Sequence, residues 1–265
     1  MKTDINLRNR GFSLIEIAIV LVIISVLLAI VAVPLASQVE QRRRADTEKQ
    51  LETIKEAIIG YALANGRFPC PSGLANNGVE SFIDKTTGTC GTYVGFVPAV
   101  TLGLSPIDAS GFAVDAWELP QNRIRYAIAD FPIAGTPTSC IAMGIHPLTR
   151  TDGMKAATMS CLSDTSATLN MLTVCAVKPT GAAGAASGCT VPLTLKAPFV
   201  LVSLGKNAPT GGTGQDEAHN VDGDSYFVSH TPTPDASASG EFDDIVVWPS
   251  LNTIFGRMVQ AGKLP

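Results

Sequence analysis

An apolar segment near the N-terminus limits what this chain can fold into more than any other feature. Residues 17–39 contain no charged side chain, and Glu16 stands directly before them. About 20 apolar residues cross the hydrocarbon core of a bilayer as a helix, so this segment is long enough to span a membrane. A charged side chain inside the hydrocarbon costs about 2.5–3.5 kcal/mol on insertion scales. Glu16 therefore needs a partner that a simple anchor does not supply.

Two ordinary kinds of N-terminal segment compete to explain this pattern. A secretory signal peptide has an apolar stretch of about 7–15 residues that ends in small residues before the cut. Here the stretch is longer, and Pro34 lies at the third position before a cut after Ala36. A single-pass membrane anchor explains the stretch, but it explains neither Glu16 nor the Gly11-Phe12 junction.

The residues around that junction resemble type IV pilins and the pseudopilins of type II secretion. The segment GFSLIE, residues 11–16, is similar to their processing motif, in which a short basic leader ends in glycine. The resemblance implies that a prepilin peptidase cuts after Gly11 and that the new Phe12 amine is methylated. It also implies that Glu16 pairs with the Phe12 amine of a neighbouring subunit. Pro34 lies one position later than the usual proline of the family.

The helical pattern continues beyond the apolar segment. Leu51, Ile54 and Ile58 recur at three- and four-residue spacing with charged residues between them, which predicts a helix with one buried stripe. Gly66 ends this helix, since glycine suits the left-handed position that follows a helix.

The composition of the rest of the chain predicts short strands separated by turns rich in Gly, Pro, Ser and Thr. The predicted strands lie at residues 123–128, 171–177, 199–204, 225–228 and 244–248. A last helix is predicted after Ser250, with an apolar stripe of Leu251, Ile254, Phe255, Met258 and Val259.

The resemblance implies an α+β, pilin-like fold, in which a long N-terminal helix packs on an antiparallel β-sheet head. We predict a leader at residues 1–11, a long helix at 12–66 that spans the membrane to about residue 36, and a periplasmic head at 67–265. The head carries a Cys-rich insertion at about residues 135–190.

Six cysteines all follow the apolar segment, and an even number suits an oxidising compartment such as a periplasm. Neighbours are the preferred pairs among the 15 possible pairings. These pairs are Cys70 with Cys90, Cys140 with Cys161, and Cys175 with Cys189. Each bond would contribute about 3 kcal/mol on the chain-entropy model, whereas buried free thiols are the alternative. The chain has no Cys-x-x-Cys, which disfavours metal binding by cysteine.

The net charge of the chain argues against one class of partner. Removing a leader of net charge +2 from a chain of net charge −4 leaves −6, so the overall field does not favour nucleic acid. The resemblance implies other partners: prepilin peptidase, further pilin or pseudopilin subunits, and the inner membrane before assembly.

An acidic loop, KNAPTGGTGQDEAHNVDGD at residues 206–224, is the candidate ion site. Calcium takes 6–8 oxygen ligands, which such loops supply. The resemblance supports Ca²⁺ as a possible cofactor, because major pseudopilins carry a calcium loop in the equivalent region. The alternative is a solvated acidic turn, since the spacing is not that of an EF-hand. The candidate ligands are Asp216, Glu217, Asn220, Asp222, Asp224, Asp243 and Asp244.

No enzymatic activity is predicted. His146 precedes a proline, while His219 and His230 lie in polar segments without a readable nucleophile. Residues 203–206 match Ser-x-x-Lys, but the companion motifs of penicillin-binding enzymes are missing.

The sequence therefore predicts a structural subunit, a minor pilin or large pseudopilin, that is assembled into a type IV pilus or a type II secretion pseudopilus. One alternative is an adhesin or cargo-binding module displayed on the filament and built on residues 135–190. Another is an inert single-pass anchor that bears an unrelated periplasmic head.

Overall fold

A computed structural model describes residues 13–118, 122–129, 146–151, 153–156, 171–184, 187–210 and 214–263. Gly11, Phe12, Cys140 and Cys161 lie outside these ranges, as does much of the predicted insertion at 135–190. Contacts within the chain define two compact units, Met1–Ala45 and Asp46–Pro265. The second unit is the head.

Helix α1 runs Leu14–Asn65 and begins at a capping box. The Ser13 hydroxyl accepts the Glu16 amide at 3.2 Å, and the Glu16 carboxylate accepts the Ser13 amide at 3.4 Å. The helix stops at Gly66, whose φ of +68° is the left-handed conformation expected there. Among the described residues, no helix combines the length and the apolar character needed to cross a bilayer.

The head contains short strands and helices. The strands are β1 Phe82–Asp84, β2 Thr89–Cys90, β3 Val94–Phe96, β4 Arg125–Ile128, β5 Leu172–Cys175, β6 Pro192–Ala197, β7 Phe199–Ser203, β8 Tyr226–Val228 and β9 Ile245–Val247. The helices are α2 Ala99–Leu102, α3 Gly153–Ala156, α4 Gln215–Ala218 and α5 Leu251–Gln260, with 3₁₀ turns at Leu74–Asn76 and Gly205–Thr210.

The strands of the described head form two main sheets and a separate antiparallel pair of β1 and β2. In the larger sheet the order is β3-β4-β7-β9, and every neighbouring pair is antiparallel. In the smaller sheet the order is β6-β5-β8, in which β5 pairs with β6 in antiparallel and with β8 in parallel orientation. The predicted α+β class, a long N-terminal helix followed by an antiparallel sheet, is confirmed.

Each predicted strand coincides with an observed one, whereas β1, β2, β3 and β6 were not predicted. The hydrophobic pattern of β6 does not predict a strand. Leu193 and Leu195 are about half exposed on it, so hydrophobicity does not alternate with burial along this strand.

The outer half of α1 shares one hydrophobic core with the larger sheet. Leu51, Ile54 and Ile58 are at most 2% exposed, as the predicted stripe requires. Helix α5 adds a second stripe, and Ser250 caps it by accepting the Thr253 amide at 3.3 Å. The buried members of this second stripe are Leu251, Ile254, Phe255 and Met258.

The prediction that Val259 belongs to the stripe of α5 is wrong, because its side chain is 51% exposed. Successive side chains are about 100° apart on a helix of 3.6 residues per turn. At this spacing Leu251, Ile254, Phe255 and Met258 fall within about 100° around the helix, whereas Val259 falls about 40° beyond Phe255, at the solvent edge of the stripe.

Two disulfides brace the part of the head that the structure describes. Cys70 bonds Cys90, with 5.5 Å between the Cα atoms, and ties the segment after α1 to β2. Cys175 bonds Cys189, with 5.9 Å between the Cα atoms, and closes the loop between β5 and β6. These are the neighbour pairings preferred for the four cysteines that the structure describes.

Candidate functional site

The site lies where β7 ends and β9 begins. Ser203 of β7 pairs with Ile245 of β9 in antiparallel register, so the turn Gly205–Thr210 lies beside the residues that precede β9. Gly205 has φ of +62°, and a Cβ at this position would collide with the Asp243 carboxylate. Glycine permits both the backbone conformation and the close approach.

Three carboxylates converge at this place and form what we term the acidic cluster, Glu217, Asp243 and Asp244. Each offers one oxygen, and these oxygens lie within 4.8 Å of one another. The three residues are 1%, 8% and 2% exposed. The alternative of a solvated acidic turn is therefore wrong for these three residues.

Glu217 is held firmly by hydrogen bonds. The Asn207 side-chain amide donates to both Glu217 carboxylate oxygens at 3.0 Å. Backbone amides of Gly214 and Asp243 donate to the same carboxylate at 3.2 Å and 2.9 Å. These donors hold the Glu217 carboxylate in one orientation within the acidic cluster.

The two aspartates of the acidic cluster are anchored differently. Asp243 accepts the Lys206 backbone amide at 3.0 Å. Asp244 accepts the Asn220 side-chain amide through Oδ2 at 2.8 Å. Among the atoms the structure describes, its second oxygen, Oδ1, is buried and accepts no hydrogen bond. A buried carboxylate oxygen without a donor is costly, and a bound cation would offset that cost.

The electrostatics of the acidic cluster favour a positive charge. Burial, and after it the charge of Glu217, raises the pKa of Asp243 to about 7. Burial also raises the pKa of Asp244 well above its usual range, although the Asn220 hydrogen bond opposes this shift. Arg125 supplies some positive charge near Asp244. The oxygen-only carboxylate set fits a hard cation such as Ca²⁺.

The other predicted ligands do not join the acidic cluster directly. Asp216 lies 3.3 Å from Nε2 of His230. Asp222 and Asp224 gather instead around His219, and one ligand atom from each of these three residues lies within 4.8 Å of the others. Asn220 contacts the acidic cluster as a donor, through its side-chain amide to Asp244 at 2.8 Å and through its backbone amide to the Glu217 carbonyl at 2.9 Å. The structure thus separates the seven predicted calcium ligands into distinct groups.

Sequence reasoning missed two features of the site and one at the start of α1. Asn207 orients Glu217, and its signal was present in the Ser-Leu-Gly-Lys-Asn stretch at residues 203–207. His219 was assigned to a polar segment, but it is 4% exposed. Ser13 is the third, because Ser-x-x-Glu before an apolar run is a capping-box signature.

Comparison with known proteins places a recognised motif at the N-terminus. Residues 6–32 match the family described as the prokaryotic N-terminal methylation motif. Over 80 residues the chain is 31% identical to the type II secretion system core protein G of Pectobacterium carotovorum subsp. carotovorum, which covers 30% of this chain and 49% of that protein. The protein of the same name from Escherichia coli (strain K12) is also 31% identical over 80 residues, 52% of its length.

The chain therefore spans about half the length of the curated relatives it matches. No solved structure matches it significantly. The chain carries a prokaryotic N-terminal methylation motif and is similar to type II secretion core proteins, which confirms the predicted resemblance to the type IV pilin and pseudopilin family.

Proposed function

We propose that this chain is a structural subunit, a minor pilin or large pseudopilin, that a prepilin peptidase processes and that assembles with related subunits into a filament. The proposal rests mainly on the overlap of the methylation motif with the long helix. The motif covers residues 6–32, and α1 begins within it at Leu14. The proposed role is structural, and the filament is a type IV pilus or a type II secretion pseudopilus.

The surface of the first unit supports an inner-membrane location before assembly. Large apolar side chains from Leu14 to Leu28 are 46–92% exposed on α1. An exposed apolar surface of this kind suits lipid or a bundle of identical helices. The disulfides suit a head in the periplasm, where such bonds persist.

Mass spectrometry of the mature N-terminus tests this proposal. We expect the protein purified from its native membrane to begin at Phe12 and to carry one methyl group on the Phe12 amine. A Gly11→Ala variant should remain uncut, because the resemblance assigns the cleavage to the bond after this glycine. An intact leader, or a cut near Ala36, in the unaltered protein would contradict the proposal and favour the inert membrane anchor.

We further propose that the acidic cluster binds calcium in the assembled head. Glu217, Asp243 and Asp244 would supply carboxylate oxygens, and the bound ion would supply the positive charge that the buried carboxylates lack. Such binding would join α4 to the start of β9 and so stiffen the loop at residues 206–224.

Calcium should raise the melting temperature of the full chain in detergent, when the assay is run above the Asp243 pKa of about 7. At a calcium concentration of 100 times the dissociation constant, binding stabilises a protein by about 2.7 kcal/mol. Glu217→Gln keeps the size of the side chain but removes its charge, and it should weaken binding at least tenfold. Asp235→Asn is the matched control, since Asp235 is an exposed aspartate outside the cluster. The site would be excluded if calcium raised the melting temperature of Glu217→Gln as much as that of the unaltered chain.

A further inference from the structure

The second group of candidate ligands differs chemically from the acidic cluster. We term His219, Asp222 and Asp224 the histidine cluster. It contains an imidazole nitrogen together with two carboxylates, and these ligand atoms lie within 4.8 Å of one another. Calcium prefers oxygen ligands, whereas imidazole suits zinc and other divalent transition metals. The ligand atoms of the two clusters therefore suit different ions.

His219 provides the observation that points to a ligand. The residue is 4% exposed, and in the part of the chain that the structure describes its buried Nδ1 atom makes no hydrogen bond. That atom lies 3.3 Å from Oδ2 of Asp222, which is within hydrogen-bond range. The distance is suitable, but the geometry of this pair is not that of a hydrogen bond.

The 3.3 Å between Nδ1 of His219 and Oδ2 of Asp222 is the distance expected between two ligand atoms of one zinc ion. Zinc binds imidazole nitrogen and carboxylate oxygen at about 2.0–2.2 Å, so two ligands at tetrahedral angles lie about 3.3 Å apart. A zinc ion between Nδ1 of His219 and Oδ2 of Asp222 would bind both atoms and so account for a close pair that makes no hydrogen bond.

Backbone donors already orient both carboxylates of the histidine cluster. Gly184 and Asp224 amides donate to the two oxygens of Asp222 at 2.7 Å and 2.9 Å. The Tyr226 amide donates to Asp224 at 2.7 Å. Such outer contacts orient metal-binding carboxylates in known sites. The Gly184 contact also links the histidine cluster to the loop closed by the Cys175–Cys189 disulfide.

We propose that His219, Asp222 and Asp224 form a site for a divalent transition metal of the zinc class, separate from the calcium-type acidic cluster. The bound ion would use Nδ1 of His219 and one oxygen from each aspartate, and water would complete its coordination. It would join the end of α4, the segment before β8 and the loop of the second disulfide. The site concerns the head alone and does not depend on filament assembly.

Isothermal titration of the full, detergent-solubilised chain with Zn²⁺ tests this site. The chain is first stripped with a chelator, and Ca²⁺ is kept in excess so that the acidic cluster does not take up zinc. We expect one equivalent of zinc to bind and His219→Gln to weaken that binding at least about tenfold. X-ray absorption at the zinc edge should show scattering from one imidazole ring.

Two variants serve as controls. His230→Gln removes a histidine that lies outside the histidine cluster and whose Nε2 is 3.3 Å from Asp216, so this variant should bind zinc as the unaltered chain does. Glu217→Gln should keep zinc binding while it loses calcium binding. If His219→Gln does not fold, Asp224→Asn replaces it, since Asp224 is only partly buried. Zinc binding that survives in the folded variant overturns the proposal, and so does an unaltered chain that binds no zinc, since His219 and Asp222 would then form an ion pair only.

Discussion

Replacing Glu16 with alanine should leave the protein in the membrane but lower its incorporation into filaments about a hundredfold or more. Removing one partner of a buried ion pair costs about 3–5 kcal/mol, because the remaining charge is left uncompensated. Each 1.4 kcal/mol corresponds to about a tenfold change in an equilibrium constant. In the proposed assembly the remaining charge is the amine of mature Phe12. Incorporation is measured on immunoblots, as the amount of the protein in sheared filaments divided by the amount in the membrane fraction.

Glu16→Gln separates this role from helix capping. Glutamine can keep the reciprocal hydrogen bonds with Ser13, since Glu and Gln both complete a capping box. It cannot keep the charge, so it should fail to assemble much as alanine does. Glu52→Ala is the matched control on the same helix, because Glu52 forms a surface ion pair with Lys55 that contributes little. Normal assembly of Glu16→Gln would show that capping, and not charge, explains this residue.

Replacing Phe199 with alanine should destabilise the head by about 3–5 kcal/mol. Phe199 is fully buried on β7, and its ring makes edge contacts with Phe68 at 5.3 Å and with Tyr126 at 5.8 Å between centroids. Phe68 lies just after α1, and Tyr126 lies on β4. Removing the ring would leave a cavity where the chain leaving α1 packs on the larger sheet.

Denaturant unfolding of the full chain in detergent, followed by tryptophan fluorescence, measures this effect. Both tryptophans, Trp117 and Trp248, lie in the head and report on its unfolding. Phe199→Leu refills most of the space and should cost much less than alanine. Ile83→Ala removes a side chain that is 74% exposed, so it should change stability by at most about 0.5 kcal/mol. A Phe199→Ala cost as small as that of Ile83→Ala would show that this aromatic contact does not stabilise the head.

The elements that the sequence predicted correctly are those with strong local patterns. Leu51, Ile54 and Ile58 repeat at the period of a helix, and all three are buried on α1. Ser250 precedes the stripe of α5 and caps that helix. Three of the strands that were missed, β1, β2 and β3, have only two or three residues, and the fourth, β6, is partly exposed, so local composition did not separate them from turns.

The candidate ion site could be predicted only as a set of residues. Acidic residues crowded in one loop indicated that a cation was needed, but they did not show which carboxylates meet. The partners of Glu217 come from distant parts of the chain, Asn207 ten residues before it and Asp243 twenty-six residues after it. Strand pairing between β7 and β9 brings them together, and such pairing has no local signature.

The sequence by itself determined the N-terminal motif and the long helix, and it predicts that Glu16 needs a partner, because each depends on residues that are near one another in the chain. Only the tertiary structure decided how the acidic residues divide. Burial and strand register collect Glu217, Asp243 and Asp244 at the start of β9. The same folding buries His219 beside Asp222. Contacts between residues far apart in sequence depend on how the whole chain packs, and a short sequence pattern does not predict that packing.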